Sequence, residues 1–392
     1  MKLTRPLSLL GVVTMVQPLG AVYAPIPEQE QGKQFSVMVR AGISQDSNIF
    51  GSASSKIDSM IYSFSPTLSV NSSITDQTFF TGSYTLSMDH FTDRPGDKTL
   101  DSHTIMARLA HAFSADSSID LSNTFSATRN PESTLSGVPI NTDQSFKRNQ
   151  FDGRFSSKLG QKIDGVLKFR TVNYSYDNTT LAASIDRTEN LYGVELGHQV
   201  LPEVRLSGEY RHQTISYESG GGTKDKTSDF VISGLEYQVA KKTSLSGRLG
   251  YEWRDRASEK SSSAPYVELS TKYDYAERSY IASGYNYTFE ETSNTALYND
   301  TKVSRFFVNV QHAVSALIVA SASLNYEPSV LQGRRGVSDL DETTTRFGIA
   351  LTYILNQNWT LSGTFDHDKV ESDDPARGVK RDRFGINAAL SF

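Results

Sequence analysis

Polar and apolar residues alternate with a period of two through run after run of this chain, and many runs last ten to fourteen residues. Near Thr243, Leu245, Gly247, Leu249, Tyr251 and Trp253 fall on one side, while Ser246, Arg248, Gly250, Glu252 and Arg254 fall on the other. Met60, Tyr62, Phe64, Pro66, Leu68 and Val70 likewise oppose Ser63, Ser65, Thr67 and Ser69. Further on, Ile281, Tyr285, Tyr287 and Phe289 oppose Ala282, Gly284, Asn286, Thr288 and Glu290. A period of two marks a strand, because successive side chains leave a pleated backbone on opposite faces. Length then narrows the choice. Soluble strands average about five or six residues, whereas a tilted strand needs about 9–11 to cross a bilayer.

The runs come in pairs, and the pairs repeat. "VRLSGEYRH", "TSLSGRLGYEW", "YIASGYNYTF", "VASASLNYE" and "WTLSGTFDHD" align on Ser207, Ser246, Ser283, Ala322 and Ser362, spaced 37 to 40 residues apart. The register continues back through Asp164, Ser122, Thr81 and Val37 at slightly longer intervals, giving nine hairpins. Short connections such as "LPE", "AKK" and "NQN" alternate with longer ones such as "RNPESTLSGVPINTDQ" and "EPSVLQGRRGVSD". Short periplasmic turns and longer outer loops are the arrangement of outer-membrane barrels. The expected fold is therefore all-β: an up-and-down, antiparallel transmembrane β-barrel of about 18 strands. Two β-sandwiches would also alternate. However, no linker or change of composition divides the chain, and sandwich edges normally carry blunting Pro or Lys.

The first residues, "MKLTRPLSLLGVVTMVQPLGAVYA", have a basic start, an apolar run from Leu7 to Val16 and small residues at Ala21 and Ala24. That is the layout of a secretory signal peptide, with the apolar run too short to span a bilayer as a helix. The expected organisation is a signal peptide over 1–24, a short periplasmic tail over 25–33 and a barrel over 34–392. Pro25 disfavours cleavage at the preceding bond and leaves the cut position open. The chain has no Cys and a formal net charge of −5 with no basic cluster, so disulfides, thiolate metal sites and a nucleic-acid partner are all excluded.

The chain closes on "RFGINAALSF", with Phe384, Ile386, Ala388, Leu390 and Phe392 on one face. A terminal strand ending in Phe resembles the assembly signal of bacterial outer-membrane barrels, which implies Phe384, Ile386, Leu390 and Phe392 as its signal residues. The first run ends in Asp46, Ser47, Asn48, Ile49 and Phe50. Asp and Asn suit an exit turn because their side chains bond nearby backbone groups, and Ile49 and Phe50 are expected to tuck against the rim. This "xDSNIF" stretch resembles the bacterial outer-membrane β-barrel porin family of the kind associated with exopolysaccharide export.

If one face meets lipid, the other meets water. The polar phase carries Arg40, Arg108, Arg154, Arg205, Arg211, Arg248, Arg254, Lys272, Arg305 and Arg346, with Glu209, Glu252, Glu268 and Glu290 among the acids. These are the expected lumen-lining residues, since an unpaired charge at the hydrocarbon midplane costs roughly 2–4 kcal/mol. The signs nearly balance, which suits neutral or mildly charged hydrophilic solutes. Inward aromatics are expected to be few, chiefly Phe230 and Phe307. No outer loop exceeds about sixteen residues, so a comparatively open lumen, narrowed by Arg and Glu side chains, is expected.

Catalysis finds little support. The seven His fall outside any readable nucleophile arrangement, and the acidic stretches "DHDKVESDD" and "SDLDE" lack a cation-loop pattern. No catalytic residue, metal or cofactor is expected. The expected function is a Gram-negative outer-membrane channel for hydrophilic solutes, most specifically a polysaccharide-export porin, and this last narrowing is implied by the family resemblance alone. The alternatives are a general diffusion porin, a structural or surface-binding barrel, and a barrel lipid hydrolase. Expected partners are outer-membrane lipid and lipopolysaccharide and the barrel-assembly machinery. The resemblance adds periplasmic polysaccharide-export proteins.

Overall fold

The computed structural model describes residues 34–129, 145–292 and 294–392; the expected signal peptide and tail lie outside them. The first nine strands are β1 (Phe35–Asp46), β2 (Ser59–Thr75), β3 (Thr78–Phe91), β4 (Thr99–Ala112), β5 (Ser117–Thr128), β6 (Phe146–Lys158), β7 (Ile163–Tyr176), β8 (Arg187–Leu201) and β9 (Val204–Tyr217). The second nine are β10 (Lys226–Ala240), β11 (Thr243–Arg256), β12 (Ser262–Ala276), β13 (Ser279–Glu291), β14 (Tyr298–Ala313), β15 (Ile318–Gly333), β16 (Leu340–Ile354), β17 (Trp359–Ser372) and β18 (Val379–Ser391). One short helix, α1 (Thr179–Ile185), lies between β7 and β8. Each strand pairs antiparallel with its neighbours in sequence, and β1 also pairs with β18, so the sheet closes into a cylinder. Closure leaves no strand edge along the seam to attract another chain.

The alternation sets the two faces. Ala41 pairs with Phe64 and with Ala388, and Ile43 with Tyr62 and Ile386, so one register carries the apolar phase across the closing seam. On this face Phe64, Leu249, Phe306, Leu351 and Ile386 are all largely exposed, Ile386 by 63%. So much exposed aliphatic and aromatic surface belongs against hydrocarbon. Among the described residues no helix is long and apolar enough to cross a membrane. Leu249→Arg should therefore destabilise the folded barrel by about 2–4 kcal/mol, whereas Ser246→Arg, three residues away on the other face, should shift it little. Urea titration in lipid vesicles reads the difference, and equal costs at both positions would contradict the assignment of faces.

The ladder carries register shifts at several positions, and one hairpin also parts from its neighbour. β12 pairs with β13 from Val267↔Tyr287 downward, while Ser262–Tyr266 keep partners on β11 alone and Thr288–Glu291 pair with β14 alone. The upper end of the β13–β14 hairpin thus parts from the wall.

Candidate functional site: a lumen filled along one side

The interior is identified by contacts that neighbouring strands cannot make. The Tyr217 hydroxyl on β9 bonds to Glu291 on β13. Lys226 Nζ on β10 lies 2.6 Å from Glu291 Oε2 and 2.9 Å from Asp300 Oδ1 on β14. Arg254 Nη1 on β11 reaches the same two carboxylates at 2.9 and 2.8 Å, and Arg256 also bonds to Asp300. Strands four apart on a cylinder meet only through its inside. Glu291 and Asp300 arrive there because the β13–β14 hairpin folds inward and lays its outer face on the inner face of β10–β12. Phe289, expected on the lipid side from its phase, is accordingly 5% exposed, with Arg254 Cζ 5.1 Å from its ring centroid. Alternation assigns a face only while the strand stays in the wall.

A second element enters from the β7–β8 loop. The Asn178 side chain accepts from the backbone N–H groups of Thr180 and Leu181 at 3.0 and 3.2 Å and starts α1. Leu181 and Ile185 then bury against Val172, Tyr174 and Tyr176 on the inner face of β7. A helix end leaves carbonyls without partners, and here distant loops satisfy them. The Ala183 carbonyl accepts from Ser219 Oγ and from Lys224 Nζ, the latter at 3.1 Å. The Ser184 carbonyl accepts from Lys224 Nζ at 3.2 Å and from Thr295 Oγ1, in the β13–β14 turn, at 3.1 Å. Desolvation lowers the Lys224 ammonium pKa, with Arg334 adding to the shift. At the base of the same lid, burial raises the Asp186 carboxyl pKa despite the N–H it accepts from Tyr176 at 2.8 Å. The expectation of an open lumen is therefore corrected: short loops constrict it by meeting one another from β7–β8, β9–β10 and β13–β14. The expectation of few inward aromatics is corrected too, since Tyr174, Tyr176, Tyr217 and Tyr266 join Phe230 inside.

The loop after β1 also turns inward. Ile49 is buried with Ile61, Phe91 and Leu100, and Phe50 packs beside them with Arg94 Cζ 5.6 Å from its ring. Asp46 accepts from Asn48 N at 2.9 Å and from Arg381 Nε at 2.8 and 3.0 Å. Asn48 Nδ2 donates to the carbonyls of Ser52 and Lys380 at 2.9 and 3.2 Å. Ser47 N donates to Asp382 O at 3.0 Å and Ser47 Oγ accepts from Asp382 N at 2.8 Å. Above the last β1–β18 pair, Asp46↔Arg383, this turn continues the seam by side chain. Asp46, Ser47, Asn48, Ile49 and Phe50 thus form a clasp between the two strands that close the barrel.

The remaining charges on the polar phase fall into two groups. Most of those on β7–β14 are ion-paired and shut from water. Lys168 Nζ lies 2.5 Å from Glu195 Oε2 and 2.9 Å from Glu209 Oε1, and Arg211 Nε lies 2.7 Å from Glu209 Oε1. Arg205 bridges Asp164 and Glu195, Arg254 holds Glu252, and Arg305 lies between Glu290 and Glu327. Glu268 accepts from the Tyr266 hydroxyl, whereas Lys272 pairs with Asp274 over the Tyr280 ring in a half-exposed position. Buried pairs of this kind contribute little net stability but make breaking one partner expensive. Arg108 chelates Asp120 on the opposite side of the barrel. Among the described residues Arg40 donates only to Met38 Sδ, at 3.8 Å, and Arg154, Arg248 and Arg346 form no ion pair. Phe384 and Ile386 on β18 and Phe392 just after it are exposed on the lipid phase, with Leu390 on the same phase paired to Val39.

Outside the lumen, His212–Asp229 and His367–Asp382 pair at 2.8 and 2.6 Å on the outer face. Among the described residues no serine hydroxyl bonds to an imidazole, and no group of three or more His, Cys, Asp or Glu is placed to hold a metal.

No protein-family model matches the chain, and no curated protein does. Solved structures similar to it include the ferric enterobactin receptor PfeA of Pseudomonas aeruginosa (9% identity, 93% of this chain and 81% of that one, TM-score 0.49). OccAB2 of Acinetobacter baumannii is similar at 12% identity over 91% of this chain and 97% of that one, with a TM-score of 0.48. Fiu, the ferric-catecholate import receptor of E. coli K12, gives 10% identity over 93% and 82%, with a TM-score of 0.46. At that level the likeness bears on neither cargo nor mechanism.

Proposed function

We propose that the chain is a non-enzymatic channel of the Gram-negative outer membrane that passes hydrophilic solutes. The observation carrying this reading is the pairing of a lipid-facing apolar belt with an interior of charged and hydroxyl side chains in a closed cylinder of 18 strands. Hydrocarbon outside and polar groups inside are the two requirements of a spanning pore. Reconstituted in planar bilayers, the full chain should give discrete conductance steps, and a barrel that never conducts would refute the reading.

Polysaccharide export with periplasmic partners is the narrower reading, supported by the resemblance of the Asp46–Phe50 turn. Deleting the gene should then abolish a surface polysaccharide without altering general permeability; unchanged polysaccharide with lowered permeability would favour the general diffusion porin. The assembly role of the last strand is tested separately. Deleting Phe392 should lower the folded, outer-membrane fraction several-fold while leaving synthesis unchanged, as read by heat-dependent gel mobility of membrane fractions.

A further inference from the structure

The two sides of the lumen are not equivalent. From β7 round to β14 most inward side chains above the periplasmic ends are packed out of reach of water: Val166 is 2% exposed, Arg211 0%, Phe230 1% and Ala264 2%. The side made by β15–β18 and β1–β5 is different. On β4, Met106 is 47% exposed although its neighbour Ile105, on the lipid face, is 46% exposed. Successive residues point to opposite faces, so open space lies on both sides of that strand. We propose that solute passes only along this second side, and that its wall takes uncharged polyhydroxylated solutes in preference to ions of equal size. The inference rests on the channel reading above and narrows it.

The chemistry of the open wall supports the solute class. Hydroxyls face each other across adjacent strands, Ser65 and Ser87 at 3.2 Å and Thr67 and Thr85 at 2.9 Å. Each hydroxyl is one donor and two acceptors, so after bonding its neighbour it still has capacity for water or for a solute hydroxyl. Several charges on this side close on each other, as Arg108 does on Asp120 and Arg383 on Asp368, while Arg40 and Arg346 stand outside such pairs among the described residues. An ion leaving bulk water for such a wall loses hydration that the hydroxyls replace only in part, whereas a sugar exchanges one set of neutral hydrogen bonds for another. The packed side offers no comparable path, because Lys168, Glu195, Glu209, Arg211 and Arg254 are all buried there.

The absence of Cys makes a direct test clean. Full-length Ser65→Cys, Ser122→Cys and Ser323→Cys on the open wall, and Val166→Cys and Ala264→Cys on the packed side, are reconstituted and treated with a charged, water-soluble methanethiosulfonate. Modification at the three serine positions should cut conductance by about two-fold or more and reverse with reductant, while the two packed positions should stay unreactive. In liposome swelling, a neutral pentose or hexose should enter the unmodified protein several-fold faster than a sugar acid or amino sugar of the same size. Block at Val166→Cys or Ala264→Cys, with none on the open wall, would overturn the assigned path. Ions entering as fast as sugars would overturn the assigned solute class while leaving the channel standing. Failure of every solute and every salt to pass would instead sink the channel reading itself.

Discussion

Replacing residues 178–186 with a short Gly-Ser turn should raise single-channel conductance by about two-fold or more, because the removed segment stands in the lumen and the strands that flank it do not need it to pair. The α1 helix covers Val172, Tyr174 and Tyr176 on β7 and ties its last carbonyls to Lys224 and Thr295. Without it the loops from β9–β10 and β13–β14 lose their shared acceptor, and the upper lumen opens. Lys224→Met is the milder version: it removes the donor to Ala183 and Ser184 but keeps the helix, so open-channel conductance should hold while brief openings of the lid become more frequent. Bilayer recordings separate the two effects. Unchanged conductance on removing the whole segment would mean that the constriction lies elsewhere.

Asp46→Ala should cost the folded barrel about 3–5 kcal/mol, the range for stripping one partner from a buried pair. Arg381 is 6% exposed and Asp46 0%, so the guanidinium would remain desolvated without its carboxylate, and Asn48 N would lose its acceptor. The barrel should unfold at markedly lower temperature or urea, read from its heat-dependent gel mobility. Replacing both partners with apolar residues of similar size, Asp46→Leu with Arg381→Met, should recover much of the loss, since matched apolar pairs often equal a buried ion pair. A single variant as stable as the double would show that the clasp adds nothing to closure.

What the sequence made legible, and what it hid, divides along one physical line. A period of two survives wherever a strand lies in the wall between oil and water, so strand number, pairing order and lipid face could be read from runs such as Leu245 to Trp253. Contacts made by strand ends that leave the wall have no local signature. Phe289 keeps its alternation yet turns inward, because the hairpin carrying it has parted from β12. Nothing near "DSNIF" points to Arg381, which lies 335 positions away from Asp46. The one available hint was chemical: Asp46 and Asn48 are turn formers, and large apolar side chains directly after them needed somewhere to bury. The α1 lid was hidden for a similar reason, since "NTTLAASID" is too short to show a helical period but does begin with a capping Asn.

The parting of β13 from β12 has a mechanical consequence. Although the chain's two ends meet at β1 and β18, that junction is reinforced by side chains, while the stretch from Ser262 to Tyr266 has hydrogen-bonded backbone neighbours on one flank only. Pro265, which has no amide hydrogen to offer, sits within it. Rupture of the cylinder should therefore start about two-thirds of the way along the polypeptide, with deuterium entering there before it enters the terminal strands.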